Sequence, residues 1–251
     1  LILSDMEFDT AISGNSIVDS NQTSAFESVS FANPNVSLTI NAGTGNNTIT
    51  MTALDAGFGG ATTIAVNGQD GNDTVNATTF DRAFTLNGGA GDDVLNGGTA
   101  GDVIIGGLGI DIIDGGAGDD TVVINDATTD LTGIDVETIE VTAGVAVTLA
   151  AAVGGTAKFD FSDTGDQVLT LSAGYTGATE VVLTGDASTN ADSVINTAGV
   201  ALTVTANVAD VDSGTTITGG AGTDTINLAN AATATADFTA VTLVETINVA
   251  T

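Results

Sequence analysis

The chain has 251 residues and contains no cysteine, no histidine and no tryptophan. Without cysteine, no disulfide can staple the fold and no thiol chemistry is available. The absence of histidine then removes Ser-His-Asp and Cys-His nucleophilic sites, together with the usual zinc sites. Positive charge is nearly as scarce. Arg82 and Lys158 stand against 32 acidic residues, a formal net charge of −30. Such a chain repels nucleic acid and acidic surfaces. Aromatic residues supply only 4% of the sequence, so a core must be thin and built from Val, Ile, Leu and Ala. The uncharged stretch Val141 to Ala157 carries three glycines and three threonines and alternates, which reads as strands rather than a membrane span. Residue 1 is Leu, with no methionine or basic segment ahead of it, so we expect a piece cut from something longer.

What remains is acidic yet apolar. Hydrophobic residues make up 42% and mean hydropathy is +0.33, too high for a disordered polyanion. The reading is a folded chain that needs cations. Six acidic residues are glutamates, and the rest are aspartates that cluster with many of the 33 glycines.

The clustering keeps a beat of nine. Residues 88 to 123 divide without a gap into GGAGDDVLN, GGTAGDVII, GGLGIDIID and GGAGDDTVV. The eighth place is always apolar (Leu95, Ile104, Ile113, Val122) and the sixth is always Asp93, Asp102, Asp111 or Asp120. The second unit departs, with Ala100 where the others have glycine and Gly101 one place late. Random solvated turns would not hold this register. Glycine pairs permit φ > 0 and let carbonyls crowd one point, which suits a hard cation that takes six to eight oxygens. Two nines make one coil of eighteen residues, stacking Asp93 with Asp111 and Asp102 with Asp120. Each pair would clamp an ion with carbonyls from Gly89, Gly91, Gly98, Gly107, Gly109, Gly116 and Gly118, and each x-U-x triplet would form a short strand with U pointing inward.

Two isolated copies, GQDGNDTVN (68–76) and GGAGTDTIN (219–227), add Asp73 and Asp224 as expected metal ligands and Val75 as a core residue. AGTGNNTIT (42–50) has Asn47 in place of the aspartate, and TNADSVINT (189–197) keeps only Asp192 and Ile195 of the pattern; both read as turns with weak or no metal. Asn67, Asn87, Asn96 and Asp114 precede the glycines and either cap the turn or add an oxygen.

A longer repeat overlies the short one. FESVSF (26–31), VETIEV (136–141) and VETINV (244–249) place Glu27, Glu137 and Glu245 about 110 residues apart. This divides the chain into a partial coil or cap (1–25), a first module (26–135) with the nonapeptide run at 68–123, a second module (136–243) with one such turn at 219–227, and the start of a third (244–251). The glutamates read as a solvated face, a hydrogen bond to a neighbouring turn, or a calcium or interface role. Segments such as VALTVTA and QVLTLSA alternate between the glycine blocks, with breaks about every ten residues. The expected fold is all-β: one right-handed parallel β-solenoid, a β-roll or β-helix with calcium-bound glycine-rich turns, the hand following the crossover rule. Outward threonines are expected to form ladders or to reflect β-propensity alone.

The run of nines resembles the repeats-in-toxin (RTX) nonapeptide G-G-x-G-x-D-x-U-x, which implies calcium. GGAGxDT(V/I) turns followed by VETIxV, with abundant Thr and Ala, resemble the calcium-binding surface-layer proteins and giant repeat adhesins of Gram-negative bacteria. That resemblance implies type I export of an unfolded chain and calcium-driven folding outside the cell, where metal binding becomes folding free energy. It implies no enzyme but an extracellular structural protein of a surface layer, matrix fibre or filament, self-associating through calcium, with cell-surface polysaccharide as a further partner. The alternatives are an adhesin stalk, or the secretion module of a secreted hydrolase or epimerase. Asp160, Asp163 and Asp166 could be offered for acid-base work, but scarce aromatics leave no sugar platform and we expect no basic residue to tune them.

Overall fold

A computed structural model of the chain describes residues 2–6, 10–13, 16–19, 29–30, 37–53, 63–125, 136–142, 146–149, 158–161, 166–176, 179–183, 191–229 and 236–250. Glu27 and Asp163 lie outside the described residues. The chain divides into two compact units, one up to Val122 and one from Leu131 onward, with short exchanges between. Each is a parallel β-solenoid, and the fold is all-β.

In the first unit, one sheet stacks Ile2–Met6, Ser37–Ala42, Thr63–Asp70, Thr85–Ala90 and Val103–Leu108, in that order. The opposite sheet stacks Thr10–Ser13, Thr48–Ala53, Thr74–Asn76, Val94–Asn96 and Ile112–Asp114. All these pairings are parallel. Near the start of the chain, Ser16–Asp19 adds antiparallel to Thr10–Ser13, and Val29–Ser30 adds antiparallel to it in turn. The period of two in burial follows from strand geometry, which sends alternate side chains to opposite faces. Ile40, Val66, Leu86 and Ile104 stack inward from one sheet, and Ile49, Val75, Leu95 and Ile113 from the other. None is more than 2% exposed. Removing one such side chain from water stabilises by about 1.5–3 kcal/mol. A single coil of this width buries little alone, so cohesion comes from stacking.

Where the bend between sheets is longer, Phe80 and Phe84 fill it with rings 5.6 Å apart, edge to face. The second unit repeats the plan. Its sheets run Thr138–Val141, Lys158–Phe161, Thr179–Leu183, Leu202–Asn207, Thr225–Ala229, Thr246–Val249, and Ala146–Leu149, Val168–Leu171, Ser193–Asn196, Thr216–Thr218, Val241–Thr242. Outward side chains pair between neighbouring coils, twice through asparagine and once through threonine: Asn67 Nδ2 donates to Asn41 Oδ1 at 2.6 Å, Asn248 Nδ2 to Asn227 Oδ1 at 2.9 Å, and Thr242 Oγ1 to Thr218 Oγ1 at 3.3 Å. The one helical turn among the described residues is Val208–Asp210. No helix there is long and apolar enough to cross a membrane.

Candidate metal centre

Every aspartate at the sixth place is buried. Asp73, Asp93, Asp102, Asp111, Asp120 and Asp224 are at most 1% exposed, although acidic side chains are almost never buried without a partner. Half of each carboxylate is accounted for by a ladder along the stack. Asp73 Oδ1 accepts the Asn47 N–H at 2.8 Å, Asp93 Oδ1 the Asp73 N–H at 2.7 Å, and Asp111 Oδ1 the Asp93 N–H at 3.0 Å. On the other side, Asp120 Oδ1 accepts from Asp102 N at 2.8 Å and Asp102 Oδ1 from Phe84 N at 3.1 Å. The coil is thus eighteen residues within the run of nines, and 20 and 26 residues in the coils before it.

In Asp73, Asp93 and Asp224 the other half is not accounted for. Asp73 Oδ2, Asp93 Oδ2 and Asp224 Oδ2 are buried with no hydrogen-bond partner. These oxygens crowd the first glycine of their own repeat: a Cβ on Gly68 or Gly88 would collide with Asp73 or Asp93 Oδ2 respectively, and one on Gly219 would lie 2.7 Å from Asp224 Oδ2. Burial pushes the Asp93 carboxyl up to about 7, opposed by the Asp73 N–H and reinforced by the charges of Asp111, Asp73 and Asp92. It raises Asp73 and Asp224 as well. A buried carboxylate oxygen with no donor is costly unless a cation meets it.

The glycines supply further oxygens. Gly89, Gly91, Gly107, Gly109, Gly116 and Gly118 all have φ between +94° and +139°. A Cβ on Gly107 would strike Gly89 O, and one on Gly109 would strike Gly91 O, so each carbonyl points into the next turn. Gln69 holds the second place of its repeat at φ +85°, a conformation that costs a side-chain residue energy. Among the described residues no three acidic side chains converge. An ion here would be held by carboxylates together with backbone carbonyls, as hard cations allow.

The turn at 97–102 differs. Gly98 is not among the positive-φ residues, and its N–H donates to Asp102 Oδ2 at 2.8 Å, so both Asp102 oxygens are satisfied by the chain itself. The glycine displaced to position 101 accounts for the changed turn. Burial, opposed by the Gly98 and Phe84 N–H groups, pushes Asp102 to about 6. The 42–47 turn is satisfied too: Asn47 Nδ2 donates to Gly43 O at 3.0 Å and Gly45 O at 2.6 Å, an amide standing among turn carbonyls.

Several participants escaped the sequence reading. A second ladder runs the opposite way one place earlier: Asn46 Oδ1 accepts from Asn72 N, Asn72 Oδ1 from Asp92 N, and Asp92 Oδ1 from Ile110 N. The doublets Asn46-Asn47, Asn72-Asp73 and Asp92-Asp93 were its signal. In the second unit the same two ladders join Asp166 Oδ1 to Ala191 N and Asp192 Oδ1 to Gln167 N. Asp192 is buried, which pushes it to about 6. Glu245 stands in the sixth-place register, its Oε2 accepting the Asp224 N–H at 2.7 Å, which is a hydrogen bond to a neighbouring turn. Of the residues before the glycines, Asp114 caps through Gly116 N, whereas Asn67 joins a ladder. Asp160 does have a basic neighbour, contrary to expectation: Lys158 Nζ lies 3.3 Å from its Oδ2, because alternate strand residues share a face.

Comparison with known protein families matches residues 85–103, 96–123 and 216–230 to the RTX calcium-binding nonapeptide repeat, in four copies. The chain carries RTX repeats. They are calcium-binding motifs, and the matched residues include the turns of Asp93 and Asp224, where a carboxylate oxygen is buried without a hydrogen-bond partner; the turn of Asp73 lies outside the match. No curated protein and no solved structure matches the chain. RTX repeats point to a secreted calcium-binding protein.

Proposed function

We propose that the chain is an extracellular, calcium-dependent structural segment that builds a bacterial surface layer, matrix fibre or filament. Asp73, Asp93, Asp111, Asp120 and Asp224 would hold calcium together with carbonyls of Gly89, Gly91, Gly107, Gly109, Gly116 and Gly118. Asp102 and Gly98, whose polar atoms already meet, would contribute least. The observation that carries the reading is the buried, partnerless Oδ2 of Asp73, Asp93 and Asp224, each pressed against a first glycine, Gly68, Gly88 or Gly219, that has no room for a Cβ. Calcium supplies the missing positive charge, so acidic bends that repel one another can stack and close the apolar strip between them.

The assembly part of the proposal draws support from one repeat. GGLGIDIID presents Leu108, Ile110 and Ile112 outward, each more than half exposed, where its neighbours carry smaller or polar residues. Contiguous exposed apolar side chains of this kind favour association. Light scattering through a calcium titration tests it. Growth of large particles with calcium is expected. Folded monomers at every calcium concentration would contradict assembly and leave a secretion or folding module.

A further inference from the structure

The second unit buries an amide for which the nonapeptide pattern gives no reason. Asn196 ends the strand Ser193–Asn196, in register with Leu171, and is 1% exposed. Its inward neighbours Val194, Leu169, Leu171 and Ile217 are apolar. The Asn196 Nδ2 donates to Val200 O at 2.9 Å and reaches Asp224 Oδ1 only at 3.5 Å. Its Oδ1 is buried with no hydrogen-bond partner, and so is Asp224 Oδ2. Two buried, unsatisfied acceptors on side chains that approach within 3.5 Å of each other are costly unless a cation meets them.

The surrounding backbone is also rich in oxygen. Gly220 has φ +100°, and a Cβ there would collide with Asn196 O and lie 3.2 Å from Ala198 O, so both carbonyls point at the glycine pair of the 219–224 turn. In the first unit the turns of Asp93, Asp111 and Asp120 stack on an aspartate of the coil before, whereas those of Asp73 and Asp102 stack on Asn47 and Phe84. Here the residue in that place is Leu202, whose N–H donates to Asp224 Oδ1 at 2.7 Å. The preceding coil therefore brings no carboxylate to this turn.

We infer that Asn196 replaces it: its side-chain oxygen, the Asp224 carboxylate and the carbonyls of Asn196 and Ala198 form a hard-cation site of the calcium class. This rests on the calcium reading above and adds a ligand at a place where the nonapeptide pattern has none. With one carboxylate in place of two, the site is weaker than those of the first unit, since affinity follows ligand charge.

Equilibrium dialysis of the full 251-residue chain against radioactive calcium counts the bound ions, with circular dichroism reporting the fold. Asn196→Leu should bind one ion fewer than wild type at saturating calcium and keep its sheet signal. Asn196→Asp should keep the full count and bind the weakest ion roughly tenfold or more tightly, as a second carboxylate would. An Asn196→Leu chain with the full count, or an Asn196→Asp chain with wild-type affinity, overturns the inference. Should Asn196→Leu fail to fold, Asn196→Asp decides alone. Asp93→Asn, which should lose calcium in the first unit, keeps the two claims apart: a wild-type chain that binds no calcium sinks the broader reading, whereas an altered count in Asp93→Asn alone sinks only the Asn196 site.

Discussion

Asp93 accepts the backbone N–H of Asp73 through Oδ1 at 2.7 Å, and the same carboxylate buries its Oδ2 with no donor. One oxygen therefore sets the register of the coils and the other is left for an ion. The division predicts two separable effects of substitution. Asp93→Asn retains an Oδ1 for the ladder but removes the charge. It should weaken calcium-induced stabilisation, with the apparent affinity falling roughly tenfold or more, about 1.4 kcal/mol. In metal-free buffer it should keep its sheet signal to a higher pH than wild type, because a buried charge is gone. Circular dichroism through a calcium titration, and through a pH titration without calcium, reads both.

The pH dependence of the metal-free chain has a definite sign. Asp93, raised to about 7, and Asp192 and Asp102, raised to about 6, are all held above the ordinary carboxyl value near 3.9. The folded chain therefore binds protons more tightly than the unfolded chain. The resulting stabilisation is complete below about pH 4 and is lost as pH rises through 6 and 7. Far-UV circular dichroism of the metal-free protein should show the sheet signal near pH 5 and lose it as the pH rises to neutrality, and calcium should hold the signal across that range. A metal-free chain that grows more stable over that range would contradict the placement of these carboxylates.

Gly107 and Gly199 offer a matched contrast. Gly107 has φ +110° and a Cβ there would strike Gly89 O, whereas nothing lies within 4 Å of a Cβ on Gly199. Gly107→Ala should destabilise the calcium-loaded chain by about 2 kcal/mol or more, through backbone strain and lost carbonyl stacking. Gly199→Ala should change it by no more than about 0.5 kcal/mol. Denaturant unfolding in calcium measures both.

The fold was largely legible because a beat of nine fixes three things at once: Leu95, Ile104, Ile113 and Val122 point inward, the glycines turn, and eighteen residues close a coil. The aspartate stack was legible for the same reason. What escaped depends on atoms rather than on spacing. That Asp102 is satisfied by Gly98 follows from the local shape of one altered turn. The counter-running ladder through Asn72 and Asp92 follows from which side-chain oxygen faces which N–H. Asn196 carries no motif, and its burial comes from a coil of about 22–25 residues that no nine-residue register describes. Lys158 and Asp160 sit two apart on a strand, a proximity that alternation could have shown.

Everything rests on divalent cations neutralising the stacked acidic turns. Far-UV circular dichroism at neutral pH, before and after exhaustive dialysis against EGTA, tests that directly. The sheet signal should collapse on chelation and return when calcium is added back. A sheet signal unchanged after chelation would contradict it.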